Sequence, residues 1–378
     1  MTMSEKPAFV LDLDIVGTCN LRCPSCPVGN SPELRTRSGV MSQELLEAIL
    51  DKAICECRLT CVGLFNWTEP FLHPKLPDMI RAVRSRGLPC ALSSNLNVTC
   101  DFHEVLRADP TSLRVSLSGF TQETYGKTHR HGNIERVKQN MRLLAEAKRE
   151  TESQIDLHVL FHRYVGNHED EAQMRAFAED LGFRFEAVWA YLMPLEKNLA
   201  FLGEEGAGTS ITANDHELIE SLALRPDEAS HAAQPYKHQP CVLQTERLAI
   251  DHEGQVQLCC ATYDRSRYSV ADFVSTPLAE IQERRRQHSL CETCTKHGLH
   301  IVAVYGAPEF ESTAMRRVQS VFPGVQITPS LTAPAAKPPR KPREDKPREK
   351  DKLVPKILKK LLGWPKRVSK KLLRNRAA

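Results

Sequence analysis

Apolar, β-branched runs recur along the first two hundred residues, at roughly 9–16, 59–67, 89–94, 112–118, 155–162 and 183–192, and helical patterns stand between them. The helical patterns cover 42–54 ("SQELLEAILDKAI"), 76–87, a short stretch near 101–108, 133–150 and 169–182. Gly87 and Gly182 sit where helix C-caps belong. Six strands alternating with five helices predict parallel βα units joined by right-handed crossovers, hence an α/β fold. A doubly wound sheet and a partial barrel both satisfy that order. In either, chemistry gathers at the C-terminal ends of the strands.

At 378 residues the chain has room for one large domain and a smaller companion. No run of eighteen uncharged apolar residues occurs, so no membrane-spanning helix is expected. The N-terminus, "MTMSEKPAFVLDLDIVG", lacks a basic region before its apolar run, and that run contains Asp12 and Asp14. It reads as a strand and not as a signal peptide. The expected compartment is therefore the reducing cytoplasm, where the thirteen cysteines serve as ligands or core residues and not as disulfides.

Charge divides the chain. From Lys337 onward seventeen Lys or Arg stand against four Asp or Glu, a net of +13, so the whole-chain +4 leaves −9 on residues 1–336. Residues 203–240 are richer in Gly, Ala and polar residues, with one helix expected near 214–224. From about 322 to 350 the chain is rich in Pro, Lys and Arg and nearly free of apolar residues, which predicts a disordered linker. Beyond it, Ile357, Leu358, Leu361 and Leu362 share one helical face, with Lys352, Lys356, Lys359 and Lys360 opposite. Trp364 follows in a Gly-Trp-Pro break. An anionic membrane surface is the expected partner of this tail, on the inner face of the membrane. Nucleic acid, which has no use for the apolar stripe, is not expected.

Cys19, Cys23 and Cys26, in "GTCNLRCPSC", follow the first strand directly with spacing C-x3-C-x2-C. Thiolates so spaced suit an iron–sulfur cluster or zinc, but zinc wants a fourth ligand and the nearest His is His73. A [4Fe–4S] cluster on three cysteines leaves one iron open. A second set is Cys241, Cys259, Cys291 and Cys294, four thiolates that close a ligand set around either zinc or an iron–sulfur cluster. "LAIDHEGQVQLCC" reads as a hairpin turning near His252-Glu253-Gly254, which brings Cys241 and Cys259 together. Cys260 is expected outside the ligand set. Cys55, Cys57, Cys61, Cys90 and Cys100 are expected as small buried side chains.

The three-cysteine loop after a first strand resembles the signature of the radical S-adenosylmethionine (radical SAM) superfamily. That resemblance implies a partial (β/α)6 TIM-type barrel and a cluster whose open iron binds SAM. Its implied chemistry is reductive cleavage of SAM to a 5′-deoxyadenosyl radical, with a flavodoxin- or ferredoxin-type reductant as partner. "FNWTEP" resembles the family's Gly-Gly-Glu-Pro-like segment, so Asn66, Trp67, Thr68 and Glu69 are implied SAM contacts, with Thr68 where glycine is common. "SSN" and "SLSG" end the third and fourth strands, which implies SAM contacts from Ser94, Asn95, Ser116 and Ser118.

The second cysteine pattern is similar to the SPASM/twitch auxiliary-cluster domain. No cysteine follows "CETC", so the single-cluster twitch form is the closer resemblance. The implied domains are a barrel at 8–202, an auxiliary domain at 203–321, a linker at 322–352 and a basic tail at 353–378. The implied function is oxidation of a polyol, sugar or amino-sugar alcohol with the auxiliary cluster as electron acceptor. A peptide maturase is the alternative, disfavoured because the first strand begins near residue 9 without room for a recognition domain. A non-catalytic, membrane-tethered iron–sulfur protein is the second alternative. His73, His129, His131, His158 and His162 are the histidines near strand ends from which a general base would come.

Overall fold

The computed structural model describes residues 6–34 and 38–329. Six parallel strands lie in sequence order: β1 (Ala8–Leu13), β2 (Arg58–Gly63), β3 (Cys90–Ser94), β4 (Ser112–Leu117), β5 (Asp156–Arg163) and β6 (Arg184–Trp189). A helix or helices cross between each pair, including Gln43–Glu56, Leu76–Arg84, Phe102–Arg107, Ile134–Glu150 and His168–Asp180. This is the open (β/α)6 form of a TIM-type barrel. Gly87 and Gly182 end their helices at φ +71° and +78°, left-handed conformations that glycine adopts without a Cβ penalty. β1 and β2 stop earlier than their apolar runs suggested. The residues beyond them, 14–16 and 64–67, enter the loops that carry the site, and 65–67 line its cavity.

Alternation along the strands produces a barrel with two different faces. On β4, Leu113, Val115 and Leu117 are buried in the main apolar core under the helices, while Arg114 and Ser116 line an interior cavity. On β5, Leu157, Val159 and Phe161 face the same core, and Leu160 and His162 line the cavity. The apolar set holds the fold together. The opposite set supplies chemistry.

The segment expected as the auxiliary domain adds three strands to the same sheet. β7 (Arg247–Ile250) pairs in parallel with the free edge of β1, and β8 (Gln255–Gln257) and β9 (Ser269–Asp272) add on antiparallel. The expected hairpin forms, with Gly254 at φ +84° and its N–H donating to Asp251 O at 2.9 Å. A second apolar cluster, around Trp189, Leu199, Leu224, Leu299 and Phe310, packs the helices that follow the barrel. Phe322, Val325 and Ile327, expected in the linker, pack against this cluster because their apolar side chains find an exposed flank of it. The basic tail and the linker from residue 330 onward lie outside the described residues. Among those described, no helix is long and apolar enough to cross a membrane.

Cys57 and Cys90 are buried in the core as expected, Cys61 and Cys100 only partly. Cys55 is exposed, a correction, since it falls on the solvent side of the last turn of helix Gln43–Glu56.

Candidate active site

The loop after β1 carries Cys19, Cys23 and Cys26 into the wall of a cavity of about 560 Å³. Cys26 precedes the short helix Pro27–Asn30, whose first amides turn back toward its sulfur. Leu21 N donates to Cys19 Sγ at 3.4 Å, and Asn95 Nδ2 stands 3.7 Å from the same sulfur. A Cβ on Gly29 would meet the Cys23 carbonyl oxygen at 2.2 Å, so only glycine lets this helix pack on the loop. Burial, and then the Glu69 carboxylate, push the Cys19 thiol up to about 11. Burial and Cys19 push Cys26 up to about 12, and Cys23 is raised by burial and by both neighbours. Three half-buried thiols that resist ionising beside one another would be stabilised as thiolates by a cationic centre. Among the described residues no three Cys, His, Asp or Glu side chains gather as ligands of a single ion. A cubane takes each thiolate on a different iron, and soft donors of this kind fit it.

Asn66, Trp67, Thr68 and Glu69 all line the same cavity. Their loop is seated by a residue the sequence reading missed. Asp14 Oδ1 accepts from the amides of Asn66, Trp67 and Thr68 at 3.0, 2.9 and 3.0 Å, and lies 2.6 Å from Thr68 Oγ1. Its carboxyl is nonetheless raised by burial to about 6. Thr68 thus gives its hydroxyl to the loop's anchor. Glu69, also buried, accepts from Phe71 N at 3.2 Å and Asn95 N at 2.8 Å, tying the ends of β2 and β3 together. Burial raises it to about 7. Trp67 Nε1 donates to Thr262 O at 3.0 Å, and its ring meets Tyr263 edge-on at 6.3 Å, which fastens this loop to the segment after Cys259.

Ser94, Asn95 and Ser116 line the cavity, and so does Ser93. Ser118 does not, which corrects its expected role. It is wholly buried, with Oγ bonded to Thr128 Oγ1 and 3.0 Å from His129 Nδ1, because β4 has ended and the chain there turns under helix Gln122–Thr128. Of the five histidines, only His129 and His162 reach the cavity. His73 is held by Met41 O at 3.0 Å, away from it. His129 has Nδ1 engaged by Ser118 and Thr128, and burial lowers it to about 3. His162 Nδ1 lies 3.3 Å from Leu117 O, which places its proton there and leaves Nε2 as an acceptor. Burial and then the Arg114 charge lower it to about 4, so it is neutral at pH 7.

Cys241, Cys259, Cys291 and Cys294 come together: each of Cys241, Cys291 and Cys294 is raised by burial and by the charge of Cys259. Gln244 Nε2 stands 3.5 Å from Cys291 Sγ. Beside them Arg285, 1% exposed, donates to Leu258 O, Gln244 O and Leu243 O at 2.9, 3.2 and 3.1 Å. No sequence signal marked this guanidinium, which places positive charge beside the four cysteine sulfurs. Cys260 lies outside the set and in the cavity wall, with Arg247, Asp12 and Arg114. The adjacent Cys259 and Cys260 act on each other, which lowers Cys259 to about 7 and raises Cys260.

Residues 13–181 match the family described as the radical SAM superfamily. A tungsten-containing aldehyde ferredoxin oxidoreductase cofactor-modifying protein of Pyrococcus furiosus is 33% identical over 113 residues, 30% of each chain. With the GTP 3′,8-cyclase of Chlorobaculum tepidum, 25% identical, the match covers 45% of this chain and 51% of that one. The chain thus spans about a third and about half of these curated relatives. Among solved structures, anSMEcpe with bound AdoMet shares the fold at TM-score 0.52 and 14% identity, over 83% of this chain and 99% of that one. SuiB of Streptococcus suis does so at TM-score 0.51 and 11% identity, over 73% and 65%. The superfamily's cofactors are a [4Fe–4S] cluster and SAM, and the donor set of Cys19, Cys23 and Cys26 suits them. The three-cysteine loop at the head of the (β/α)6 barrel lies within residues 13–181, the part of this chain that matches the radical SAM superfamily.

Proposed function

We propose that this protein is a radical SAM oxidoreductase that oxidises an alcohol of a small polyol, sugar or amino sugar to a carbonyl. What supports the reading is one cavity lined by Cys19, Cys23 and Cys26 and also by Cys260, the neighbour of Cys259 of the second set. When bound, the first cluster and SAM supply a 5′-deoxyadenosyl radical, and a second cluster on Cys241, Cys259, Cys291 and Cys294 supplies an electron acceptor. The substrate then loses a hydrogen atom, a proton and an electron, which balances a two-electron oxidation. His162, neutral and with Nε2 free to accept, takes the proton. Asp14 and Glu69 hold the loops that line the SAM side.

The test is anaerobic reconstitution with SAM, dithionite and a panel of polyols and amino sugars. Expected are 5′-deoxyadenosine and a carbonyl product in equal amounts. C291A is expected to keep SAM cleavage and lose the carbonyl, and H162Q to slow product formation. A carbonyl yield untouched by C291A, or zinc in place of iron at that site, sinks the dehydrogenase reading. A peptide-modifying role is the second reading, supported by the fold shared with SuiB, a structure of which holds the precursor peptide SuiA. For the tail, we propose attachment to anionic membrane, tested by liposome flotation of the full chain against one ending at Ser330. Equal flotation of the two removes it.

A further inference from the structure

Deep in the barrel the cavity carries more positive than negative charge. Arg114 precedes Ser116 by two residues on β4, about 7 Å further from the strand end that faces the SAM side. Asp12 stands two residues before Asp14 on β1 in the same way. Arg247 donates Nε to Asp12 Oδ2 at 2.8 Å and Nη2 to Asp12 Oδ1, so both carboxylate oxygens are taken. Arg114 donates Nε to Ser93 Oγ at 3.0 Å and lies over the Phe65 ring, 4.9 Å from its centroid. Among the described residues no carboxylate stands within ion-pair distance of Arg114. Glu186, the next one acting on it, is paired with Arg184 at 2.5 Å. Two guanidiniums therefore share one carboxylate. Burial and then the neighbouring Arg247 lower the Arg114 pKa, as for a cation short of an anion.

A buried cation without a counter-ion is costly, and an incoming oxyanion offsets that cost with charge-assisted hydrogen bonds. We propose that Arg114, with Arg247 beside it, receives a carboxylate or phosphate ester of the substrate, so that the alcohol oxidised belongs to an anionic polyol. The inference rests on this cavity being the substrate site of the reaction proposed above. Arg114 is not at the level of Ser94, Asn95 and Ser116, the strand-end residues expected to meet SAM, which leaves its Nη groups for a second ligand.

The experiment is calorimetric titration of the anaerobically reconstituted, SAM-loaded full chain with D-gluconate, D-glucose 6-phosphate and neutral D-glucitol. One oxyanion probe should bind about tenfold or more tightly than D-glucitol. Preference for gluconate names a carboxylate, and preference for glucose 6-phosphate names a phosphate. R114Q should abolish the preference and R114K should keep most of it, with SAM retention by equilibrium dialysis unchanged in both. Should R114Q not fold, inorganic phosphate in excess should weaken the oxyanion probe on wild type and leave D-glucitol unaffected. Equal affinity for charged and neutral probes overturns the proposal, as does a preference that survives R114Q. Loss of SAM binding in R114Q overturns it too, because the guanidinium would then serve the SAM carboxylate. Formation of 5′-deoxyadenosine on the same samples, without probe, reports separately on the radical SAM reading.

Discussion

The thiol of Cys260 lies against that of Cys259 while forming part of the cavity wall. Under the proposed function the adjacent residues have two different tasks: Cys259 joins Cys241, Cys291 and Cys294 as a ligand, and Cys260 stands between that set and the cavity. Anaerobically reconstituted protein should hold about eight iron, four per cubane. C259A should fall to about four. C260A should stay near eight. Iron analysis giving the reverse order would exchange the roles of the pair.

Gly29 is where the first cluster loop tolerates no side chain. Its Cβ would lie 2.2 Å from the Cys23 carbonyl oxygen, well inside contact distance. G29A should therefore displace Cys23 or Cys26, lose about four iron and abolish SAM cleavage, while the second site keeps its metal. Full SAM cleavage by G29A would show that the loop packs differently.

Asp14 gathers the amides of Asn66, Trp67 and Thr68 on one oxygen. D14A leaves three half-buried donors without their acceptor, and should lower unfolding stability by about 1–3 kcal/mol, with D14N costing less. Because the same amides set the loop expected to meet SAM, D14A should also weaken SAM retention in dialysis. Unchanged SAM retention with reduced stability would confine Asp14 to folding.

His129 is 7% exposed and lowered by burial to about 3, against its ordinary 6.5. The native state excludes a proton that the unfolded chain binds below pH 6.5. Stability from this residue is therefore complete above pH 6.5 and declines as pH falls toward 3, by about 1.4 kcal/mol per pH unit. His162, lowered to about 4, acts in the same direction. Urea midpoints between pH 7 and 5 should fall for wild type and fall less steeply for H129N. Parallel slopes would mean that His129 takes up its proton without unfolding.

Sequence by itself determined what is local. The apolar, β-branched runs marked all six barrel strands, the C-x3-C-x2-C spacing marked the three-cysteine loop, and His252-Glu253-Gly254 marked the hairpin turn. These signals live within a few residues, where backbone geometry and ligand spacing are written directly into the chain. Tertiary structure alone decided which inward side chains meet. Asp12 and Arg247 are 235 positions apart and become partners because β7 pairs with the open edge of β1. Arg114 joins them only through the order of strands around the barrel, and Arg285 reaches the second cysteines through a helix with no spacing relation to them. Ser118 carried the same local pattern as Ser116, yet it turns into the core where β4 ends. Whether a polar strand-end residue faces ligand or protein is set by where the sheet curves and stops, and long-range pairing fixes that.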